Sequence, residues 1–121
     1  MKLYYYIAEV VSVYDGDTCT CVVDLGFKTS LRIKVRLIGI DTPEIWTKDS
    51  EEKELGYKTR DWLSERILGK KVILHTKEKG KFGRWLGMIW DLEEDKPSFE
   101  NSYNKQLINE NLAKEYYGGK R

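Results

Sequence analysis

From Leu31 to Leu37 the chain alternates strictly, with Leu31, Ile33, Val35 and Leu37 interleaved by Arg32, Lys34 and Arg36. A period of two puts the apolar set on one face of an extended backbone, so "KTSLRIKVRLIGI" reads as a β-strand with one side in a core. Upstream, residues 3–14 are rich in Tyr, Val and Ile; "YDGDT" sets Asp-Gly at a hairpin turn and "CTCVVDL" reads as the returning strand. Gly26 and Phe27 turn the chain again, so the first forty residues predict an antiparallel meander of three strands. Beyond Glu44 the period lengthens. Leu55, Thr59, Trp62, Leu63, Arg66 and Ile67 recur every three or four residues, which predicts an amphipathic helix running to Leu68 and stopped by Gly69. Its start has two readings: Asp49 and Glu52 have capping-box spacing, whereas Gly56 inside the helix would cost about 1 kcal/mol and favours a later start. "KKVILHTKE" and "RWLGMIWDL" predict two further strands across the lysine-rich "KGKFG" turn, Pro97 marks a loop, and "SYNKQLINENLA" predicts a second, shorter helix. Five short strands with a helix after the third predict an α+β chain on a closed or nearly closed five-stranded β-barrel of the oligonucleotide-binding (OB-fold) type, with two to three helices. The 121 residues are the size of one domain, 1–121.

Composition changes this picture little: 40% hydrophobic and 34% charged residues are ordinary for a soluble globular chain. No apolar run approaches a bilayer span, so no membrane partner is expected. "MKLYYYIAEV" lacks the apolar segment of a secretory signal, which sets the expectation of a cytoplasmic chain, with secretion of a processed form as the alternative. Cys19 and Cys21, the two cysteines, lie roughly 6.6 Å apart along a strand, at the edge of disulfide reach, and read as free structural thiols. Charge is more informative once divided along the chain. Residues 70–84 hold Lys70, Lys71, Lys77, Lys79, Lys81 and Arg84 against Glu78, whereas residues 91–100 hold Asp91, Glu93, Glu94, Asp95 and Glu100 against Lys96. Such asymmetry attracts a polyanion to one side and repels it from another, and it equally suits two solvated loops of opposite sign.

The single histidine, His75, excludes paired-histidine catalysis and a closed four-ligand zinc site, leaving acid–base work to carboxylates. Asp17 sits at the first hairpin and Asp41 and Glu44 at the end of the third strand, so barrel closure brings them toward one rim. Carboxylates held together repel unless a cation joins them, and oxygen-only ligation selects a hard ion such as Ca2+ or Mg2+. Arg36 and Asp41 are an odd number of residues apart and would face opposite sides of a regular strand; a bend at Gly39 would bring them to the same side. Arg36 and Arg84 beside a hard cation suit the oxygens of a phosphodiester. Two plainer readings compete: a set of salt bridges, and a helix start at Asp41-Thr42-Pro43-Glu44.

"VYDGDT", "RLIGIDTPE" and "GKFGRWLG", in that order around an intervening helix, resemble the staphylococcal nuclease (thermonuclease) family over about Ile7 to Tyr117. The resemblance implies a Ca2+-dependent phosphodiesterase that hydrolyses DNA and RNA at the P–O5′ bond and leaves 3′-phosphates. It implies Asp17, Asp41 and the Thr42 carbonyl as metal ligands, Asp15 as support for the turn, and Glu44 as the residue that orients or deprotonates water. Arg36 and Arg84 correspond to the phosphate-gripping pair, and Lys81, Phe82 and Tyr117 to substrate contacts. Phe82 stands where relatives carry tyrosine, which keeps a stacking surface but loses a hydroxyl. The acidic stretch 92–101 is longer than the turn expected there. The resemblance also implies a monomer acting on DNA, RNA or both; a non-catalytic nucleic-acid-binding module is the alternative, and the presence of every acid and arginine argues for the enzyme.

Overall fold

Alternate residues of five strands, Ala8 and Val10, Cys19, Cys21 and Val23, Val35, Val72 and Leu74, and Ile89, point into one buried core. Each such aliphatic side chain, fully buried, contributes about 1.5–3 kcal/mol, and the alternation seen in the sequence follows from that. The computed structural model describes residues 3–116. Its elements are β1 (Tyr5–Asp15), β2 (Thr18–Asp24), β3 (Ser30–Leu37), β4 (Ile40–Asp41), α1 (Ser50–Ile67), β5 (Lys71–Lys79), β6 (Trp85–Asp91), α2 (Tyr103–Asn109) and β7 (Lys114–Glu115). Five strands close a barrel in the order β1-β2-β3-β6-β5, with β5 hydrogen-bonded back to β1. Every ladder is antiparallel except β3–β6, which pairs Val35 with Trp85 and Leu37 with Gly87 in parallel. The α+β architecture, with its five-stranded OB-type barrel and two helices, is the one the sequence pattern predicts.

Leu63 and Ile67 of α1 and Leu107 of α2 complete the same core. Helix α1 starts at the earlier of the two predicted positions: the Asp49 carboxylate accepts from the backbone N–H groups of Glu51 and Glu52. Its reciprocal half is missing, because the Glu52 carboxylate accepts instead from the Glu44 N–H, at 3.2 Å. Gly69, at φ 75, turns the chain out of the helix, and its N–H donates to the Val10 carbonyl. Helix α2 is shorter than "SYNKQLINENLA": Ser102 caps it, Asn111 at φ 59 breaks the chain, and residues 114–115 become β7. Cys19 and Cys21 are free and buried with their sulfurs 3.8 Å apart. The adjacent Cys21 and burial push the Cys19 thiol up, away from the reactive thiolate.

The third strand departs from the pattern where the candidate chemistry begins. Instead of running through to Ile40, β3 ends at Leu37 and the chain bends at Gly39, φ 81, before β4. A side chain at Gly39 would also strike Phe99, whose ring carbons lie 2.9 and 3.2 Å from the site a Cβ would occupy. Asn104, fully buried on α2, holds the bend: its amide donates to the carbonyls of Ile38 (2.8 Å) and Gly87 (3.1 Å), and its oxygen accepts from the Ile89 N–H (3.3 Å). Opposite the bend, β4 pairs with β7, Ile40 against Glu115 and Asp41 against Lys114.

Candidate functional site

The Asp-Gly turn of the first hairpin is the seed of the site. Asp15 pairs with Thr18 across β1 and β2, leaving Gly16 and Asp17 as the connection. Gly16 is not in the left-handed conformation; it is glycine because a Cβ there would lie 2.4 Å from the Thr59 methyl on α1 and 3.1 Å from Thr42. The turn is thereby seated on Thr42, the residue after Asp41. Asp15 accepts from the Asp17 N–H at 3.1 Å, which rigidifies the turn. Burial first, and the Asp17 carboxylate next, push the Asp15 carboxyl from its ordinary 3.8 up to about 7, while the Asp17 backbone bond pulls the other way.

Both arginines reach this turn. Thr18 pairs with Arg36 across β2–β3, and the Arg36 guanidinium lies 3.4 Å from the Asp17 carboxylate, each side chain about nine-tenths buried. The same guanidinium donates to the carbonyls of Leu37 and Ile40, the latter at 3.0 Å, so it spans the gap opened by the bend. Across the bend at Gly39, Arg36 thus contacts the Ile40 carbonyl, the backbone just before Asp41. Arg84 comes from the other side. The turn Lys81–Gly83 carries left-handed Phe82 (φ 60) and Gly83 (φ 74), and Gly80 donates to the Arg84 carbonyl at 2.6 Å. This folds the basic loop back and sends Arg84 inward, where its terminal nitrogen donates to the Thr18 hydroxyl at 3.4 Å. That hydroxyl donates in turn to Asp17 at 3.1 Å. The Arg84 Nε is buried with no protein partner. A buried, unpaired guanidinium N–H is costly, and an anionic ligand would satisfy it.

The remaining expected residues are more scattered. Thr42 is buried against Gly16, and Asp41 and Thr42 line a cleft of about 490 Å³ beside the start of α1. Residues 41–44 form no helix start, which removes that plainer reading. Glu44 is exposed, on the segment between β4 and α1. Lys81 is exposed, and Phe82 is 88% exposed with its ring 5.8 Å from the Arg84 guanidinium carbon. Tyr117 lies outside the described residues; Tyr116 donates its N–H to the Gly39 carbonyl at the bend. Among the described residues no three His, Cys, Asp or Glu side chains gather tightly enough to form a metal cluster. A cation at Asp17 and Asp41 would have two carboxylates and the Thr42 carbonyl, an all-oxygen set that fits a hard ion with water completing its shell.

Three contributors are absent from the sequence reading: Asn104 and Phe99, which hold the bend, and Trp46. Trp46 is 74% exposed and shares a groove with Arg84. A signal for it exists, since a tryptophan in the polar segment "EIWTKD" belongs to no periodic face that would bury it.

A family model described as staphylococcal nuclease homologue matches residues 34–120. Protein ParB of Escherichia coli is 28% identical over 110 residues, covering 89% of this chain and 56% of ParB. The thermonuclease of Staphylococcus hyicus is 31% identical across 88% of this chain and 54% of its own length. That of Staphylococcus intermedius is 30% identical across 87% and 56%. The chain therefore spans a little over half the length of these relatives. A family match over most of the sequence, on a barrel whose two arginines meet at one aspartate turn, means that the chain belongs to the staphylococcal nuclease homologue family.

Proposed function

We propose that this chain is a Ca2+-dependent nuclease that hydrolyses phosphodiester bonds of DNA and RNA at P–O5′, leaving 3′-phosphates. The observation that carries the reading is the meeting of two guanidiniums on adjacent residues, Arg36 at Asp17 and Arg84 at Thr18, with the Arg84 Nε buried and unpaired. Salt bridging alone accounts for Arg36 and leaves Arg84 without a reason. Two relatives bear the name thermonuclease, which supports the same activity.

In this reading Asp17, Asp41 and the Thr42 carbonyl would hold a calcium ion, which would supply Lewis-acid polarisation of a phosphoryl oxygen. Arg84 and Arg36 grip the non-bridging oxygens and take up the charge that grows during in-line attack. Glu44 orients a water, or removes its proton, on the side opposite the departing 5′ oxygen. Asp15 keeps the turn rigid through the Asp17 N–H.

The test is cleavage of single-stranded DNA by the full chain in calcium and in chelator, with the new ends mapped. Calcium-dependent cleavage with 3′-phosphate ends is expected. Affinity for the strand without cleavage in calcium would make the chain a binding module and end the proposal.

A further inference from the structure

A groove of about 760 Å³ leaves the Arg84–Thr18 contact and passes between the β1–β2 hairpin, the segment before α1, and α1 itself. Its walls carry Tyr14 (55% exposed), Trp46 and Tyr57, with Phe82 at the Arg84 end. Lys34 and Arg60 add positive charge, and among the described residues no acidic side chain lines it. The Arg60 guanidinium lies 4.7 Å over the Tyr57 ring and 3.3 Å from exposed Asp61, so Lys34 and Arg84 supply most of the field. The cleft on the Asp41 side is the opposite in character, its lining carrying the acids Asp41, Asp49, Glu51 and Glu52 against the cation Lys114. A polyanion leaving the arginines is therefore repelled on one side and attracted on the other.

We propose that the Trp46–Tyr57 groove is a base-stacking track for the single-stranded stretch next to the bond being cut. It deepens the phosphodiesterase reading and rests on it for the position of that bond. Exposed aromatic faces interleaved with cations suit unpaired bases of any sequence, because every base presents a π-face to stack. A duplex hides those faces in its stack, so the track selects single strands.

The 121-residue chain in chelator, where no bond is cut, is titrated into a fluorescein-labelled oligothymidylate of about eight nucleotides, a labelled dinucleotide, and a duplex of the longer length, and read by anisotropy. The same titrations use Trp46→Ala and Trp46→Phe, with melting temperatures as a check on folding. Trp46→Ala is expected to weaken the long single strand by about tenfold and the dinucleotide by no more than about twofold. Trp46→Phe, which keeps a ring, should retain most of the affinity, and neither change should matter for the duplex. Unchanged long-strand affinity in Trp46→Ala, or equal loss for dinucleotide and long strand, overturns the track. A chain that cleaves in calcium yet binds independently of Trp46 loses this inference and keeps the nuclease assignment; Trp46-dependent binding without cleavage does the reverse.

Discussion

Gly56 lies on the buried face of α1, and replacing it with alanine sets two effects of known size against each other. A methyl there would stand 2.8 Å from the Ile45 Cγ2 and 3.0 Å from the carbonyl oxygens of both Glu44 and Pro43. Unstrained carbon contacts lie near 3.5–4.0 Å, so the segment must retreat by roughly 0.5–1 Å. Helix propensity gains about 1 kcal/mol from the change, whereas overpacking costs about 1–3 kcal/mol. Two of the three obstructing atoms are backbone and cannot rotate aside, which puts the cost in the upper part of that range, about 2–3 kcal/mol, and leaves a net loss of about 1–2 kcal/mol. For a domain of this size that lowers the melting temperature by roughly 3–8 °C. Turnover should suffer more than stability, because the displaced segment carries Glu44, and a shift of about 1 Å in a positioning group can cost about 100-fold. Circular-dichroism melting and initial rates of single-strand cleavage in calcium measure the two quantities separately. We expect a modest fall in melting temperature and a kcat lower by about tenfold or more. A Gly56→Ala protein that melts at or above wild type would refute the tight contact, and one that melts lower with unchanged kcat would count against the role of Glu44.

Asn104→Ala strips its buried backbone partners at Ile38, Gly87 and Ile89, although the Gly87 carbonyl keeps the Ile38 N–H at 3.0 Å. Two newly unpaired groups imply a loss of about 2–4 kcal/mol, and a urea titration giving less than about 1 kcal/mol would show that water replaces the amide. Arg84→Lys keeps the charge but removes the planar fork, so kcat should fall at least about tenfold with little change in melting temperature; a near-wild-type rate would count against phosphate gripping. Burial, and then Lys77, lower the pKa of His75 below its ordinary 6.5, so the fold prefers the neutral ring. Its contribution to stability is therefore intact above about pH 6.5 and lost as pH falls through the depressed folded value. Because His75 is the single histidine, its ring protons report this directly by NMR, and a midpoint at or above 6.5 would overturn the assignment.

What could be read from the sequence is what repeats. The alternation of Leu31 to Leu37 and the helical spacing from Thr59 to Ile67 reflect burial of one face, and burial imposes a period that a single sequence displays. The parallel β3–β6 closure and the β4–β7 pair were not legible, because the first is a long-range choice of partner and the second has two residues per strand. Glycines punctuate the sequence, but the reason for each lies in the fold. Gly16 and Gly56 serve close approach, to Thr59 and Thr42 and to the Pro43–Ile45 segment, and neighbours distant in sequence cannot be inferred from the glycine itself. Gly39 was anticipated as a bend from the odd spacing of Arg36 and Asp41, but its second reason, room for Phe99, was hidden in the acidic stretch read only as a long loop. Trp46 escaped because exposure produces no period at all.

The two arginines differ in how much of the fold they carry, and this decides which substitution speaks to chemistry. Arg36 is bonded to Asp17 and to the Leu37 and Ile40 carbonyls, so its guanidinium is part of the structure of the bend as well as of the site. Removing it would leave a buried carboxylate without its partner, a loss of about 3–5 kcal/mol, and would release the backbone that leads to Asp41. A slow Arg36→Ala protein would therefore mix a disordered bend with a missing phosphate contact. Arg84 has a 3.4 Å bond to Thr18 and an unpaired Nε, so the protein gains little by holding it where it is. A side chain that the fold aims inward through a left-handed turn, yet leaves short of partners, is positioned for something the fold does not contain. That asymmetry is why the nuclease reading stands or falls on Arg84 and not on Arg36.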